Sequence, residues 1–336
     1  MNFYTIWLTR RCNLRCKYCY EGEKTSHADF SENLINDLLD FIREKSRDES
    51  VINVNFHGGE PLLGFETMKK ICASLNQNRQ KVFYSMTTNG LLLNGEMLDF
   101  IVQSQMELSV SVDGTKFAHD LNRVDARGNG SYEHSIQQLK KILEQGIEPR
   151  IRMTVCASTI PYLYEGVKEL KRLGCHNIVA APDFCDISWT EEDIEKLKQQ
   201  LWMIEEKLNG LEIEFTFYDN HPLRKKGKCS GGTATCCIDV DGSVYPCTFA
   251  VGNSQFCIGN VKTGIQKNKV DDFMKINEAH NLVCKGCTYE EYCISTRCKL
   301  MNQMVMGDCF TPSPVICTLG NLVYQMEKDK PVAECD

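Results

Sequence analysis

No stretch of the 336-residue chain stays apolar for the roughly 18 residues that a membrane-crossing helix needs, so no such span is expected. Basic residues are not in surplus either. Lys and Arg number 38 against 45 Asp and Glu, a formal net charge of −7, which argues against the basic footprint of a nucleic-acid-binding surface. The opening MNFYTIWLTRRC lacks a basic segment followed by a long apolar core, so no secretory signal is expected. The expected location is cytoplasmic and reducing, where disulfides do not persist.

Against these absences stands an excess of cysteine, 19 in all. Hydrophobic residues at 42% and charged residues at 25% are otherwise those of ordinary globular domains. In a reducing compartment so many thiols read as metal ligands. They also cluster. Cys12, Cys16 and Cys19 lie within eight positions, eleven fall from Cys229 to Cys317, and only Cys72, Cys156, Cys175 and Cys185 lie between. Three thiols in one loop are one short of a structural zinc site. An iron–sulfur cube on three thiolates leaves one iron open to an outside ligand, as a catalytic zinc keeps an open position. A zinc loop closed by a remote ligand is the plainer alternative.

The first 200 residues alternate strand and helix patterns. FYTIWLT, VINVNFHGG, KVFYSMTTNG, MELSVSVDG, EPRIRMTVC and HNIVAAP read as strands. Between them, helical spacing marks 31–46 (with Ser31 as N-cap), 65–77, 95–105, 132–146, 160–174 and 191–209. Six β/α repeats imply a parallel sheet with right-handed crossovers, too few for a closed eight-fold barrel. The expected fold is therefore α/β, a partial (β/α)6 TIM-like barrel, with its site in loops at the C-terminal ends of the strands. Beyond about residue 220 long periodic segments become scarce, and a Cys-rich region of that kind relies on metals as staples. The expected boundary divides 1–215 from 216–336.

Cys-x3-Cys-x2-Cys with Tyr18 before the last cysteine resembles the signature of the radical S-adenosylmethionine (SAM) enzymes. The resemblance implies a 4Fe–4S cluster on Cys12, Cys16 and Cys19, SAM on the open iron, and a 5′-deoxyadenosyl radical that abstracts a substrate hydrogen. HGGEP resembles the family's GGE motif, which assigns Gly58, Gly59 and Glu60 to SAM, with Glu60 toward its ammonium. By the same resemblance SVSVDG places Ser111 and Asp113 near the ribose and methionine, and HDLNR places Arg123 at the SAM carboxylate. Tyr18 is expected near the adenine, NGSY at 129–132 suits the same subfamily, and Asn89 and Arg152 are further candidates.

The C-terminal cysteines resemble the SPASM domain, which carries two auxiliary 4Fe–4S clusters. Cys229-x12-Gly242-x4-Cys247 precedes Cys284-x2-Cys287-x5-Cys293, then Cys298 and Cys317. The pattern assigns Cys229, Cys247 and Cys298 to the first auxiliary cluster, and Cys284, Cys287, Cys293 and Cys317 to the second. It departs at ISTR, four residues between Cys293 and Cys298 where the family has three. Cys236, Cys237, Cys257 and Cys309 are surplus, and one of them could complete the first cluster. Cys72, Cys156, Cys175, Cys185 and Cys335 read as buried small hydrophobes or bystanders. Three clusters and SAM are the expected cofactors.

Radical SAM enzymes with SPASM domains mostly modify peptides. Sulfatase maturases usually carry an Asp after the cysteine of YPC, proposed as a base; here that residue is Thr248, with Asp239 and Asp241 as possible substitutes. The segment CISTRCKLMNQMVMGD is similar to the tail of maturases of Cys-rich ribosomal peptides. The expectation is a peptide maturase forming a Cys thioether crosslink. Formylglycine formation in a sulfatase, carbon–carbon crosslinking, epimerisation and a non-enzymatic electron-transfer protein are the alternatives. Expected partners are a Cys-containing peptide and a reductant such as flavodoxin or ferredoxin. The chain starts at its first strand, so leader recognition is expected from the core, the SPASM domain or a separate leader-binding protein.

Overall fold

The computed structural model describes residues 1–22, 26–77, 80–208, 212–215 and 227–328. Along the chain run β1 (Phe3–Thr9), α1 (Ile35–Lys45), β2 (Val51–Gly58), α2 (Phe65–Leu75), β3 (Lys81–Thr88), α3 (Gly95–Gln103), β4 (Glu107–Ser111), α4 (Lys116–Asn122) and α5 (Tyr132–Glu144). There follow β5 (Arg150–Val155), α6 (Leu163–Arg172), β6 (Asn177–Pro182), α7 (Glu191–Lys207) and β7 (Glu212–Phe215). The expected strand and helix alternation is present. One cap differs: the turn Glu32–Leu34 is a tighter 3-10 turn, and Ser31 makes no side-chain capping bond. At α7, by contrast, the Thr190 hydroxyl accepts from the Asp193 N–H at 3.2 Å while the Thr190 N–H donates to the Asp193 carboxylate at 2.9 Å.

The described chain divides into two units. The first comprises Met1–Val112, His119–Ile151 and Ser230–Lys275; the second comprises Asp113–Ala118, Arg152–Cys229 and Ile276–Asp336. In the first, the strand order is β11-β10-β9-β8-β1-β2-β3-β4, with β8 (Thr235–Ile238), β9 (Ser243–Tyr245), β10 (Gly259–Asn260) and β11 (Gly264–Ile265). β1, β2, β3 and β4 pair in parallel, and β8 joins the free edge of β1, also in parallel, with Thr5 opposite Cys237. In the second unit β6 and β7 pair in parallel. The boundary expected between 215 and 216 adjoins residues 216–226, which lie outside the described set. Regular structure beyond 227 is less scarce than the sequence pattern implied. α8 (Lys267–Glu278), α9 (Ile294–Arg297), α10 (Lys299–Met306) and α11 (Pro314–Lys328) follow the short strands.

The two faces of the first unit's sheet differ because strand side chains alternate. Ile52, Val54 and Phe56 of β2, Tyr84 and Met86 of β3, and Leu108 and Val110 of β4 are buried on one face. Helices cover it: Tyr4 meets Phe41 of α1 edge-on, and the Tyr84 hydroxyl donates to the Cys72 carbonyl of α2 at 3.2 Å. Burying each such apolar side chain contributes about 1.5–3 kcal/mol. The other face is polar: Asn53, Asn55 and His57 of β2, Ser85 and Thr87 of β3, and Ser109 and Ser111 of β4 are half-buried there. The Ser85 hydroxyl donates to Asn55 Oδ1 across the β2–β3 pair at 3.0 Å.

Candidate active site

The three-cysteine loop leaves β1 at Thr9 and is held along both sides. The Arg15 N–H donates to the Val124 carbonyl at 2.7 Å, and the Lys17 N–H to the Asn122 carbonyl at 3.0 Å. These bonds lay the loop beside residues 122–124, and the Arg123 guanidinium sits over the Tyr18 ring, 5.2 Å from its centroid. Turns close the loop: the Cys19 N–H donates to the Cys16 carbonyl at 3.1 Å, and the Gly22 N–H to the Cys19 carbonyl at 2.9 Å. The Cys12 sulfur accepts from the Leu14 N–H at 3.4 Å. All three thiols are half-buried and none is in a disulfide. Among the described residues no three Cys, His, Asp or Glu side chains converge on one point, as a single metal ion requires. A four-iron cube takes each thiolate on a different iron. The half-buried loop, with N–H donors already turned toward sulfur, fits that donor arrangement.

The end of β2 is locked to this loop through backbone bonds. The Gly59 N–H donates to the Thr9 carbonyl at 2.9 Å, and the Glu60 N–H to the Arg11 carbonyl at 2.8 Å. Gly58 adopts φ +133°, where L side chains are strained, and a Cβ there would collide with the Thr9 carbonyl. A Cβ on Gly59 would collide with the Arg11 carbonyl. Both glycines are thus required by the close approach of two strand ends. Glu60, 1% exposed, accepts from the Thr88 hydroxyl at 2.6 Å, the Leu62 N–H at 3.1 Å and the Asn89 N–H at 2.9 Å. A carboxylate offers about four acceptor sites, so three are used in binding β2 to the end of β3 and one remains for a cation. Asn89 completes the link by donating to Asn13 Oδ1 at 2.7 Å, within the cysteine loop.

HDLNR and NGSY form one assembly. His119, fully buried, shares a hydrogen bond with the Ser131 hydroxyl at 2.9 Å, and that hydroxyl donates to the Arg123 carbonyl at 2.8 Å. The Asp120 carboxylate accepts from the Tyr132 N–H at 2.8 Å, at the start of α5. A Cβ on Gly130 would run into that carboxylate. His119 and Asp120 therefore act on the backbone that carries Arg123. Spacing alone did not reveal this positioning role. Ser111 ends β4 on the polar face. Asp113, in the second unit, accepts from the Thr154 N–H of β5 at 2.9 Å, and Arg152 lies on the same strand.

The family model described as the radical SAM superfamily matches residues 6–174. The chain belongs to the radical SAM superfamily. A cysteine-type anaerobic sulfatase-maturating enzyme of Clostridium novyi is 27% identical over 323 residues, covering 84% of each chain. The mycofactocin maturase MftC of Mycobacterium ulcerans is 24% identical, covering 85% of this chain and 80% of that one. The solved structure of native anSMEcpe with bound AdoMet superposes with a TM-score of 0.80 at 20% identity, covering 96% of both chains, which supports the α/β fold. This radical SAM chain is an enzyme whose family chemistry uses a 4Fe–4S cluster and SAM. None of its helices among the described residues is long and apolar enough to cross a membrane.

Neither acidic substitute for the residue at Thr248 is a free base. Asp239, buried, forms an ion pair with Arg10 and also takes the Val240 N–H at 2.7 Å. Asp241 closes a turn through the Ser243 N–H at 2.9 Å. The ring-bearing groups near this region were not singled out from sequence. His57 stacks on Trp7 with centroids 5.3 Å apart, and the Tyr20 hydroxyl lies 3.3 Å from His57 Nε2. Tyr20 in turn meets Phe249 edge-on at 6.0 Å, one residue beyond Thr248. The alternation in VINVNFHGG, which puts His57 on the polar face, is the signal that could have found it.

The remaining cysteines fall into distinct environments. Cys72, Cys156 and Cys175 are buried, as expected of small hydrophobes; burial pushes Cys72 up to about 12 and Cys175 up to about 11. Cys185 is exposed, a bystander, and Cys335 lies outside the described residues. Of the surplus set, Cys236 and Cys237 are core residues of β8, with burial pushing Cys236 up to about 12. The Cys257 thiol donates to the Gly259 carbonyl at 3.3 Å, and Cys309 is buried. Cys247 belongs to the first unit, Cys229 and Cys298 to the second. Cys284, Cys287, Cys293 and Cys317 all lie in the second unit. Burial raises Cys284, Cys293 and Cys317, and neighbouring members of this set raise each of them further.

Proposed function

We propose that this radical SAM enzyme oxidises a cysteine-containing peptide, forming a thioether between the cysteine sulfur and a carbon. Bound at the Cys12–Cys19 loop, the cluster and SAM supply a 5′-deoxyadenosyl radical that takes a hydrogen atom from the substrate. The chain's own residues do the rest. Gly58 and Gly59 let the strand ends approach, and the one open acceptor site of Glu60 suits the SAM ammonium. Arg123, held by His119 and Ser131, suits its carboxylate by bidentate pairing. Tyr18 suits the adenine, and Ser111, Asp113, Asn89 and Arg152 suit the remaining polar atoms. The half-polar face of β1–β4 offers Asn55, Ser85 and Ser109 to an extended peptide, whose backbone groups need partners.

The carrying observation is the chemistry around Thr248. The usual acid of sulfatase maturases is absent there, Asp239 is committed to Arg10, and Asp241 closes a turn. The second reading is formylglycine formation, supported by likeness to the Clostridium novyi sulfatase-maturating enzyme. Two auxiliary clusters, on the cysteine sets assigned by the SPASM pattern, would take the electron released as sulfur bonds to the carbon radical, and a reductant such as flavodoxin or ferredoxin would supply the first electron. The domains proposed are a SAM core over 1–215 and a SPASM region over 216–336. Mass spectrometry of a co-expressed cysteine-rich peptide tests the reading. Loss of two hydrogens together with disappearance of an alkylatable thiol supports a thioether. Loss of two hydrogens with the thiol retained overturns it for a carbon–carbon bond, and replacement of sulfur by oxygen overturns it for formylglycine.

A further inference from the structure

Lys299 begins α10 and is 1% exposed. Its ammonium donates to Asn281 Oδ1 and lies 5.2 Å from the centroid of the Phe310 ring. Among the described residues no carboxylate comes within ion-pairing distance of it. Asp308 and Glu290 act on it only from beyond pairing distance. Burying an ammonium without a directly paired charge is costly, and one amide oxygen and a ring face offset only part of that. The surroundings carry more polar atoms than they satisfy. Ser295 Oγ, Asn302 Oδ1 and Ser313 Oγ are buried with no partner among the described residues. Ser295 is two residues from Cys293, and the Ser313 carbonyl accepts the Cys317 N–H at 2.9 Å. A buried ammonium and two buried, unmatched hydroxyls in this stretch of chain are donors suited to something anionic.

The anionic partner is within reach. The Cys284 N–H donates to the Asn281 carbonyl at 2.9 Å. Asn281 thus stands between the ammonium and Cys284. The Cys287 N–H donates to the Cys284 carbonyl at 2.9 Å, and none of Cys284, Cys287, Cys293 and Cys317 is in a disulfide. A Cβ on Gly320 of α11 would touch the Cys293 sulfur at 3.9 Å, so a glycine there leaves room beside the thiols. Four thiolates around a 4Fe–4S cube form a net anion, whose potential responds to nearby charge and to hydrogen bonds at sulfur.

We propose that Lys299 is the buried counter-charge of an auxiliary cluster on Cys284, Cys287, Cys293 and Cys317, and that through Asn281 it raises that cluster's reduction potential. The inference rests on the auxiliary-cluster reading given above. A positive charge favours the more negative, reduced state. The assigned role is to make this cluster a ready acceptor for the electron released when the peptide is oxidised. Lys299 is a positioning and tuning residue and touches no substrate.

The test is an EPR-monitored redox titration of the anaerobically reconstituted full chain, with iron counted in each sample. Lys299→Met should keep its iron and lower the reduced-to-oxidised ratio of one cluster at fixed potential at least tenfold, about 59 mV for a one-electron couple. Lys299→Arg should restore most of the shift, and the SAM-loop cluster should not move. Unchanged potentials in an iron-replete Lys299→Met protein overturn the inference. Where Lys299→Met fails to hold iron, Asn281→Leu is titrated, since it removes the amide that fixes the ammonium beside the Cys284 turn but keeps the lysine. A shift in the same direction supports the inference, and none overturns it. Failure of the underlying reading looks different: wild-type protein itself then holds only about four irons.

Discussion

Two cysteine regions of this chain hold their thiols by different means. Around Cys12–Cys19, the ends of β1, β2 and β3 are tied to one another by backbone bonds and by Glu60 and Asn89. Backbone bonds between parallel strand ends fix that geometry. Residues 282–317 are built from turns and short helices. Leu282 is 83% exposed, Cys287 and Cys317 are exposed, and Lys299 is buried. On the proposed reading, such a region would draw much of its stability from a bound cluster. One cysteine set thus sits in a frame of strand ends, while the other depends on turns and on whatever its thiols bind.

The sharpest break in that comparison is expected from single thiols. Cys16→Ala should abolish 5′-deoxyadenosine formation, whereas Cys287→Ala should retain it while the iron content falls by about four per chain. Equal loss in both would remove the division of labour. Next in size is Gly59→Ala, whose methyl must displace the Arg11 carbonyl. It should cost about 3 kcal/mol or more, read from thermal melts of protein without iron. Chelation is the third. Hydrogen exchange after iron removal should rise throughout 282–317 and stay unchanged in β1 and β2.

The smallest effect concerns Glu60. Burial raises its carboxyl above the ordinary glutamate range, with the bonds from Thr88, Asn89 and Leu62 opposing the rise. The folded chain therefore holds this proton more tightly than the unfolded one. The resulting stability is full below the ordinary value and is lost as pH climbs through the raised folded value. Glu60→Gln removes the dependence, so the stability of wild type relative to the variant should decline as pH rises above the ordinary glutamate value of about 4.3. A flat difference in paired melts would contradict the raised value.

Much of this was legible in sequence because it is local. The β/α alternation, the three-cysteine loop and the motifs at successive strand ends are each written within about ten residues. What escaped depends on long-range pairing. Nothing near Thr235–Ile238 announces that β8 lies along β1, or that Asp239 is committed to Arg10. His119 and Asp120 were legible as a motif, but their work on Ser131 and Tyr132 required the turn at Gly130. Lys299, the first residue of the eight-residue α10, reads as a surface lysine until its burial is seen. The helices α8 and α11 were under-read because the cysteine spacing dominated that stretch.

Iron per chain in the anaerobically reconstituted protein tests the central contrast most directly. One preformed radical-generating loop and two metal-folded auxiliary sites predict about twelve irons, falling to about eight in Cys287→Ala with 5′-deoxyadenosine formation intact. About four irons in the wild type, unchanged by Cys287→Ala, would contradict it.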